Sequence, residues 1–245
     1  MRLITHQGPL IFKQGPDIDI TNLSCSQAGQ DLFVLAMTQC KKNGTWLEIG
    51  CGHAKKSSNT WLLEHELDWS GTSIDIEFQE LSQWKKRLNS HFHCMDALQF
   101  DFTQLPNTID YLSLDVDNTQ TSLILLDRLK SHKFAVITIE HDSFCGDYHH
   151  MWQSRKILSD QGYTLVVNGV TLEPGRGFPP NKELQFEDWW VSPEINESIR
   201  NSYVWLDASA FGFDQPIKAV PIPGPKYPKD ILFLPSSVSY QAMYW

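Results

Sequence analysis

The chain has 245 residues, 41% of them hydrophobic and 20% charged, with a formal net charge of −9. That length and apolar share suit one globular domain with a full core, and the negative balance argues against a surface built to grip nucleic-acid phosphates. No apolar run approaches the roughly 18 residues of a membrane span, and the opening Met1-Arg2-Leu3-Ile4-Thr5-His6 lacks the apolar core of a signal peptide. A cytoplasmic protein is expected. The five cysteines, Cys25, Cys40, Cys51, Cys94 and Cys145, contain no CxxC pair, so reduced thiols are expected rather than a zinc site or a disulfide framework. The basic runs Lys41-Lys42, Lys55-Lys56 and Lys85-Lys86-Arg87 are short and scattered, and read as solvated surface.

Residues 1–25 carry two Gly-Pro breaks, Gly8-Pro9 and Gly15-Pro16, and read as an extended arm. A helix fits Gln27 to Lys41, with Ser26 as N-cap and Phe33, Val34 and Met37 on one face. From Gly44 strands alternate with helices. Strands are predicted at 45–49, 72–76, 91–95, 109–116, 134–139, 163–167 and 187–191. Helices are predicted at 58–66, 79–89, 122–131 and 151–161. Strands with near-continuous apolar cores between helices predict an α/β fold with a mostly parallel seven-stranded sheet covered on both faces. The segment from Pro174 to Lys182, with Arg176, reads as a loop over the pocket. Residues 26–195 thus form the expected domain, and residues 196–245 a Pro- and aromatic-rich C-terminal extension.

Ligands in open parallel sheets bind beyond the carboxyl ends of the strands. Here those ends carry Glu48 with Gly50 and Gly52, then Asp75 and Glu77, then Asp96, then Asp115 and Asp117. Glycines let the backbone approach a ligand. A carboxylate after the second strand can accept ribose hydroxyls, and one after the third can accept the adenine amine. One Gly-x-Gly or one acid carries little; the ordered series carries the reading. A dinucleotide fold wants G-x-G-x-x-G, and the third position here is Lys55. Gly50-Cys51-Gly52-His53-Ala54 instead fits the looser turn of an S-adenosylmethionine site, whose ligand is cationic and suits acids better than a pyrophosphate does.

Several blocks resemble the FkbM-like methyltransferases: Ser26-Gln27-x-Gly29-Gln30-Asp31, Leu47-Glu48-Ile49-Gly50-Cys51-Gly52, Ser58-Asn59-Thr60-x-Leu62-Leu63-Glu64 and Trp69-Ser70-Gly71. Tyr111-Leu112-Ser113-Leu114-Asp115-Val116-Asp117, Ile139-Glu140-His141-Asp142 and Glu187-Asp188-Trp189-Trp190-Val191 are similar to a branch of that family common in phage and environmental bacterial sequences. The resemblance covers about residues 26 to 192. It implies a Rossmann-like class I methyltransferase fold with the last strand antiparallel, S-adenosylmethionine as donor, and usually an oxygen acceptor on a sugar or natural product. By motif position it implies Glu48, Gly50 and Gly52 at the methionine end, Asp75 at the ribose and Asp96 on the adenine side, with Asp115 also at the cofactor. Ser26 and Gln27 match the family's SQ motif and would close over the cofactor. Where the family has Asp-Val-Glu-Gly after the fourth strand, this chain has Asp115-Val116-Asp117-Asn118.

Methyl transfer to oxygen needs a base near the fourth or fifth strand end. His141, flanked by Glu140 and Asp142, is the first candidate and Asp117 the second. A Mg²⁺ at Asp117, Glu140, His141 and Asp142 is a less favoured variant. Trp189 and Trp190 point to opposite faces of a strand, so one is expected in the core and the other toward a ligand or partner. The expected partners are a small-molecule or glycan acceptor and, at most, a second copy of the chain, without nucleic acid or membrane. The alternative is a methyltransferase-like fold kept as a binding or assembly module in a phage-related or biosynthetic complex.

Overall fold

The computed structural model describes residues 2–5, 8–11, 17–19, 24–77, 81–143, 148–171 and 185–195. The segment predicted as an extended arm carries three short strands, β1 (Arg2–Thr5), β2 (Gly8–Ile11) and β3 (Asp17–Asp19). They pair in the order β2-β1-β3. Pro9, read as a break, lies in an edge strand, where its missing N–H takes nothing from the ladder.

The helix predicted from Gln27 begins later, as α1 (Gln30–Met37). Gly29 precedes it with φ +88 and supplies no side-chain cap. Ser26 is therefore not the N-cap. Its Oγ accepts from the Gly29 N–H at 3.0 Å and donates to Asp31 Oδ1 at 2.6 Å. Every residue of α1 is buried, which fits a helix with no solvated face.

The main sheet contains β4 (Thr45–Ile49), β5 (Ser70–Asp75), β6 (Ser90–Cys94), β7 (Thr108–Leu114), β8 (Lys133–Glu140), β9 (Thr164–Thr171) and β10 (Gln185–Val191). Their order is β6-β5-β4-β7-β8-β10-β9. β4 to β8 pair in parallel. β10 lies antiparallel between β8 and β9. This is a mostly parallel seven-stranded Rossmann-like sheet with one antiparallel strand, as predicted.

Alternation along the strands feeds two cores. One holds Trp46, Tyr111, Val136 and Trp189 against α1 and α2 (Trp61–Leu67). The other holds Leu47, Ile49, Leu112, Ile137 and Trp190 against α4 (Thr119–Arg128) and α5 (His149–Asp160). Trp189 and Trp190 do take opposite faces, but both are core residues, 0% and 1% exposed. Neither faces a ligand or partner.

The helix predicted over 79–89 is the single turn α3 (Leu81–Trp84). Glu64 explains the early stop. Its Oε1 accepts from the N–H groups of Leu88 and Asn89, and its Oε2 pairs with the buried Arg87. Those amides are thereby held outside any continuing helix. Among the described residues no helix is long and apolar enough to cross a membrane. The predicted loop over 174–182 and the extension 196–245 lie outside the described residues.

Candidate functional site

The ends of β4 and β7 meet at Gly50. An ideal Cβ there would lie 1.4 Å from the Asp115 carbonyl oxygen, and φ is +77. Only glycine allows that approach. Gly50 N–H donates to Ile74 O and Asp115 N–H to Ile49 O, each at 2.9 Å, so three strand ends are laced together. Gly52 differs. Its φ is +51, and a Cβ would meet nothing within 4 Å. Gly52 lines a cavity of about 510 Å³ over the carboxyl ends of the sheet.

Asp75 shapes that cavity. Its Oδ2 accepts from Gly52 N–H at 2.7 Å and its Oδ1 from Glu77 N–H at 2.8 Å. Asp96 Oδ1 accepts from Leu98 N–H at 2.8 Å. The lining thus brings together Gly50, Gly52, Asp75, Glu77, Asp96, Asp115 and Asp117, five carboxylates in all, with no Lys, Arg or His among the described lining residues. Ile76, Met95, Ala97 and Leu98 add an apolar wall that motif reading missed. Ile76, between the acids Asp75 and Glu77 in sequence, is 68% exposed, an apolar side chain left open at the strand end.

Three acids crowd the ends of β7 and β8. Burial raises the carboxyls of Asp115, Glu140 and Asp142, and repulsion between neighbouring carboxylates raises Asp115 and Glu140 further. The group therefore retains protons above the usual carboxylate range. Asp142 sits in left-handed backbone at φ 47, and its buried Oδ1 has no hydrogen-bond partner among the described residues.

Other predicted site residues lie elsewhere. Glu48 is 2% exposed and does not line the cavity. It shares the face of Trp46 and accepts from Thr60 Oγ1 at 2.8 Å and Ser73 Oγ at 3.1 Å. Ser26 joins Ser24 and the Cys25 amide around the buried Asp31 carboxylate. Gln27 is exposed, and neither Ser26 nor Gln27 lines the cavity. Lys55 lies with its Nζ 4.2 Å from the Trp61 ring centroid. His141, the first candidate base, is 1% exposed and lines no part of the cavity. Its Nε2 is 3.5 Å from Asp188 Oδ1, and its Nδ1 accepts from Ser143 N–H at 3.3 Å. The strand-end register that puts Glu140 beside Asp115 turns the next side chain into the protein. Among the described residues no three His, Cys, Asp or Glu side chains converge as a metal-holding group, so the Mg²⁺ variant gains no support from the geometry.

Two buried glutamates make stability depend on pH. Burial pushes Glu48 up to about 7, against the pull of the Arg87 guanidinium. Burial likewise pushes Glu187 up to about 8, against hydrogen bonds from Trp189 and Gln30. An unperturbed glutamate titrates at 4.5. Between that value and about 7 or 8 the folded chain holds protons that the unfolded chain has released. Their stabilisation is complete below the unfolded value and is lost as pH rises, by up to about 1.4 kcal/mol per pH unit for each group. Calorimetry should show Tm falling steadily from pH 5 to 8, and Glu187→Gln should flatten the slope. A Tm that climbs across this range would contradict the assignment.

No protein-family model and no curated protein sequence matches the chain. Among solved structures it is similar to a precorrin-6y C5,15-methyltransferase from Geobacter metallireducens, at 13% identity over 66% of this chain and 86% of that chain, with TM-score 0.49. It is similar to a putative S-adenosylmethionine-dependent methyltransferase from Listeria monocytogenes, at 12% identity over 67% and 98% of the two chains, with TM-score 0.49. The N-methyltransferase NodS from Bradyrhizobium japonicum is a third such structure, at 16% identity over 67% and 94%, with TM-score 0.46.

Proposed function

We propose that the chain is an S-adenosylmethionine-dependent methyltransferase acting on a hydroxyl oxygen of a sugar or small natural-product acceptor. One observation carries the reading: five carboxylates and no basic group among the described residues line a cavity floored by Gly50 and Gly52. That field repels a pyrophosphate and attracts a cation. The open space over Gly52 fits a ligand backbone at close approach.

Bound there, the cofactor supplies an electrophilic methyl group on a cationic sulfur. The chain's own residues bind and orient. Asp75 keeps one lone pair on each oxygen for the ribose hydroxyls while its others hold the Gly52 and Glu77 amides. Asp96 is pinned through Oδ1 and offers Oδ2 to the adenine amine. Ile76 and Leu98 supply apolar surface for the base. A cation bound beside Asp115 favours its ionised form, which then offsets the cofactor's positive charge. Asp117, exposed at the end of β7 and lining the cavity, accepts the acceptor's hydroxyl proton at its carboxylate. Asp117 takes this role over His141, whose ring is turned to Asp188.

Calorimetry with S-adenosylmethionine and its demethylated product tests the cofactor half, and no binding at millimolar concentration would overturn it. Asp75→Ala should weaken binding by about 10- to 100-fold, as expected for losing charge-assisted hydrogen bonds. Labelled methyl transfer to hydroxylated acceptors tests the other half. Cofactor binding without turnover would favour the binding-module alternative.

A further inference from the structure

The strand β6 lies at the edge of the main sheet and pairs only with β5 among the described residues. Its pairing is specific about which amides it uses. Asn89 O accepts from Gly71 N–H at 3.1 Å and Met95 N–H donates to Asp75 O at 2.8 Å. In a parallel ladder these bonds put residues 89, 91, 93 and 95 on β5. The N–H and C=O groups of Ser90, Phe92 and Cys94 therefore face outward, without partners among the described residues. An edge of this kind is a template for another strand.

A cavity of about 710 Å³ runs along this edge. On one side Trp84 and Phe92 stack with centroids 5.0 Å apart, beside Lys85. On the other lie Phe100, Leu105 and Pro106, with His93 set edge-on to Phe100 at 5.0 Å. No Asp or Glu is among the described residues lining it. The chain as a whole carries −9, and the cavity over the glycine turn is lined by acids alone among its charged groups. The edge groove reverses that sign. Arg87 adds little to it, because Glu64 holds the guanidinium inside; Lys85 is the cation that can meet an anion on the Trp84 side, while His91 and His93 alternate with Phe92 and stand on the Phe100 side.

We infer that the β6 edge is a docking site for an extended acidic peptide, added as a further strand by backbone hydrogen bonds to Ser90, Phe92 and Cys94. Its acidic side chains meet Lys85 on the Trp84 side, and its alternate apolar side chains pack on Phe100, Leu105 and Pro106. Backbone pairing supplies affinity, and the two unlike flanks select acidic-apolar alternation. The inference goes beyond the methyl-transfer reading and does not rest on it.

Fluorescence polarisation with the full chain and a labelled decapeptide of alternating glutamate and valine tests this. Binding in the micromolar range is expected. Two versions of the peptide, N-methylated at every second amide in either phase, separate backbone pairing from simple charge. At least one should lose tenfold or more. Lys85→Glu, at an exposed position outside the candidate methyl-transfer site, should weaken the parent peptide about tenfold while leaving the thermal midpoint unchanged. The inference is overturned if the parent peptide does not bind at millimolar concentration, if both methylated versions bind as well as the parent, or if Lys85→Glu has no effect. It is equally overturned if single-stranded oligothymidine binds the edge in preference to the peptide, or if light scattering shows a dimer that Lys85→Glu dissolves and that excludes the peptide.

Discussion

Replacing Gly50 with alanine should abolish the folded form of the candidate cofactor site, whereas the same change at Gly52 should leave the fold nearly intact and lower ligand affinity. The two glycines are two positions apart, and both have positive φ. At Gly50 a Cβ meets backbone at 1.4 Å from Asp115 O and 2.5 Å from Asp115 C. Backbone cannot move aside as a side chain can, so the ends of β4 and β7 must part. The cost is the left-handed strain of about 1–2 kcal/mol plus the lost ladder bonds. At Gly52 the strain alone applies, because nothing lies within 4 Å. There the new methyl projects into space available to a ligand. Thermal unfolding and cofactor calorimetry on the two variants read these effects separately. Equal loss of stability in both would refute the distinction.

The second large effect lies away from the cavity. Asp188 is 0% exposed. Its carboxylate accepts from Arg155 Nε at 2.6 Å, Arg155 Nη2 at 2.8 Å and Gly169 N–H at 2.8 Å. Burial would raise this carboxyl, but the Arg155 guanidinium, with His141 beside it, holds it well below the usual range. Asp188→Ala takes from the buried Arg155 guanidinium the carboxylate that holds its Nε and Nη2, and breaking a buried pair in this way costs about 3–5 kcal/mol. For a chain of this size that lowers Tm on the order of 10 °C. Replacing both partners, Asp188→Leu with Arg155→Met, should cost less than Asp188→Ala alone, since neither member of the pair is then left without the other. Chemical denaturation of the single and double variants decides it. A single variant within 1 kcal/mol of the parent would show that the pair is not buried in solution.

The central strands β4, β7 and β8 were legible because each is a short apolar run between turn residues, and a parallel sheet buries both faces of such runs. Thr45–Ile49 has the predicted bounds. The glycine turn and the acids at positions 75, 96, 115 and 117 were legible because strand ends project where ligands bind, and all of them line the cavity. Glu48 misled because motif position ignores alternation. Ile49 lines the cavity, so its neighbour Glu48 points the other way, to Thr60 and Ser73. His141 misled for the same reason: one residue beyond Glu140 is the opposite side of the strand. The truncation of α3 could not be read locally at all. Its cause, Glu64, is 24 positions from Leu88 in sequence, and only the packed fold brings that carboxylate to those amides.

The place of β10 bears on how the chain can be synthesised. Among the described strands it is the last to leave the ribosome, yet it lies inside the sheet, between β8 and β9. Until Gln185–Val191 has emerged, the nascent chain presents the facing edges of β8 and β9 unpaired, and Arg155 awaits the carboxylate that Asp188 will bring. Open edges of this kind invite association between nascent chains. The main sheet therefore cannot close as it is made. It closes only once residues 185–191 are available, and polypeptides released before residue 185 would keep the β8 edge open.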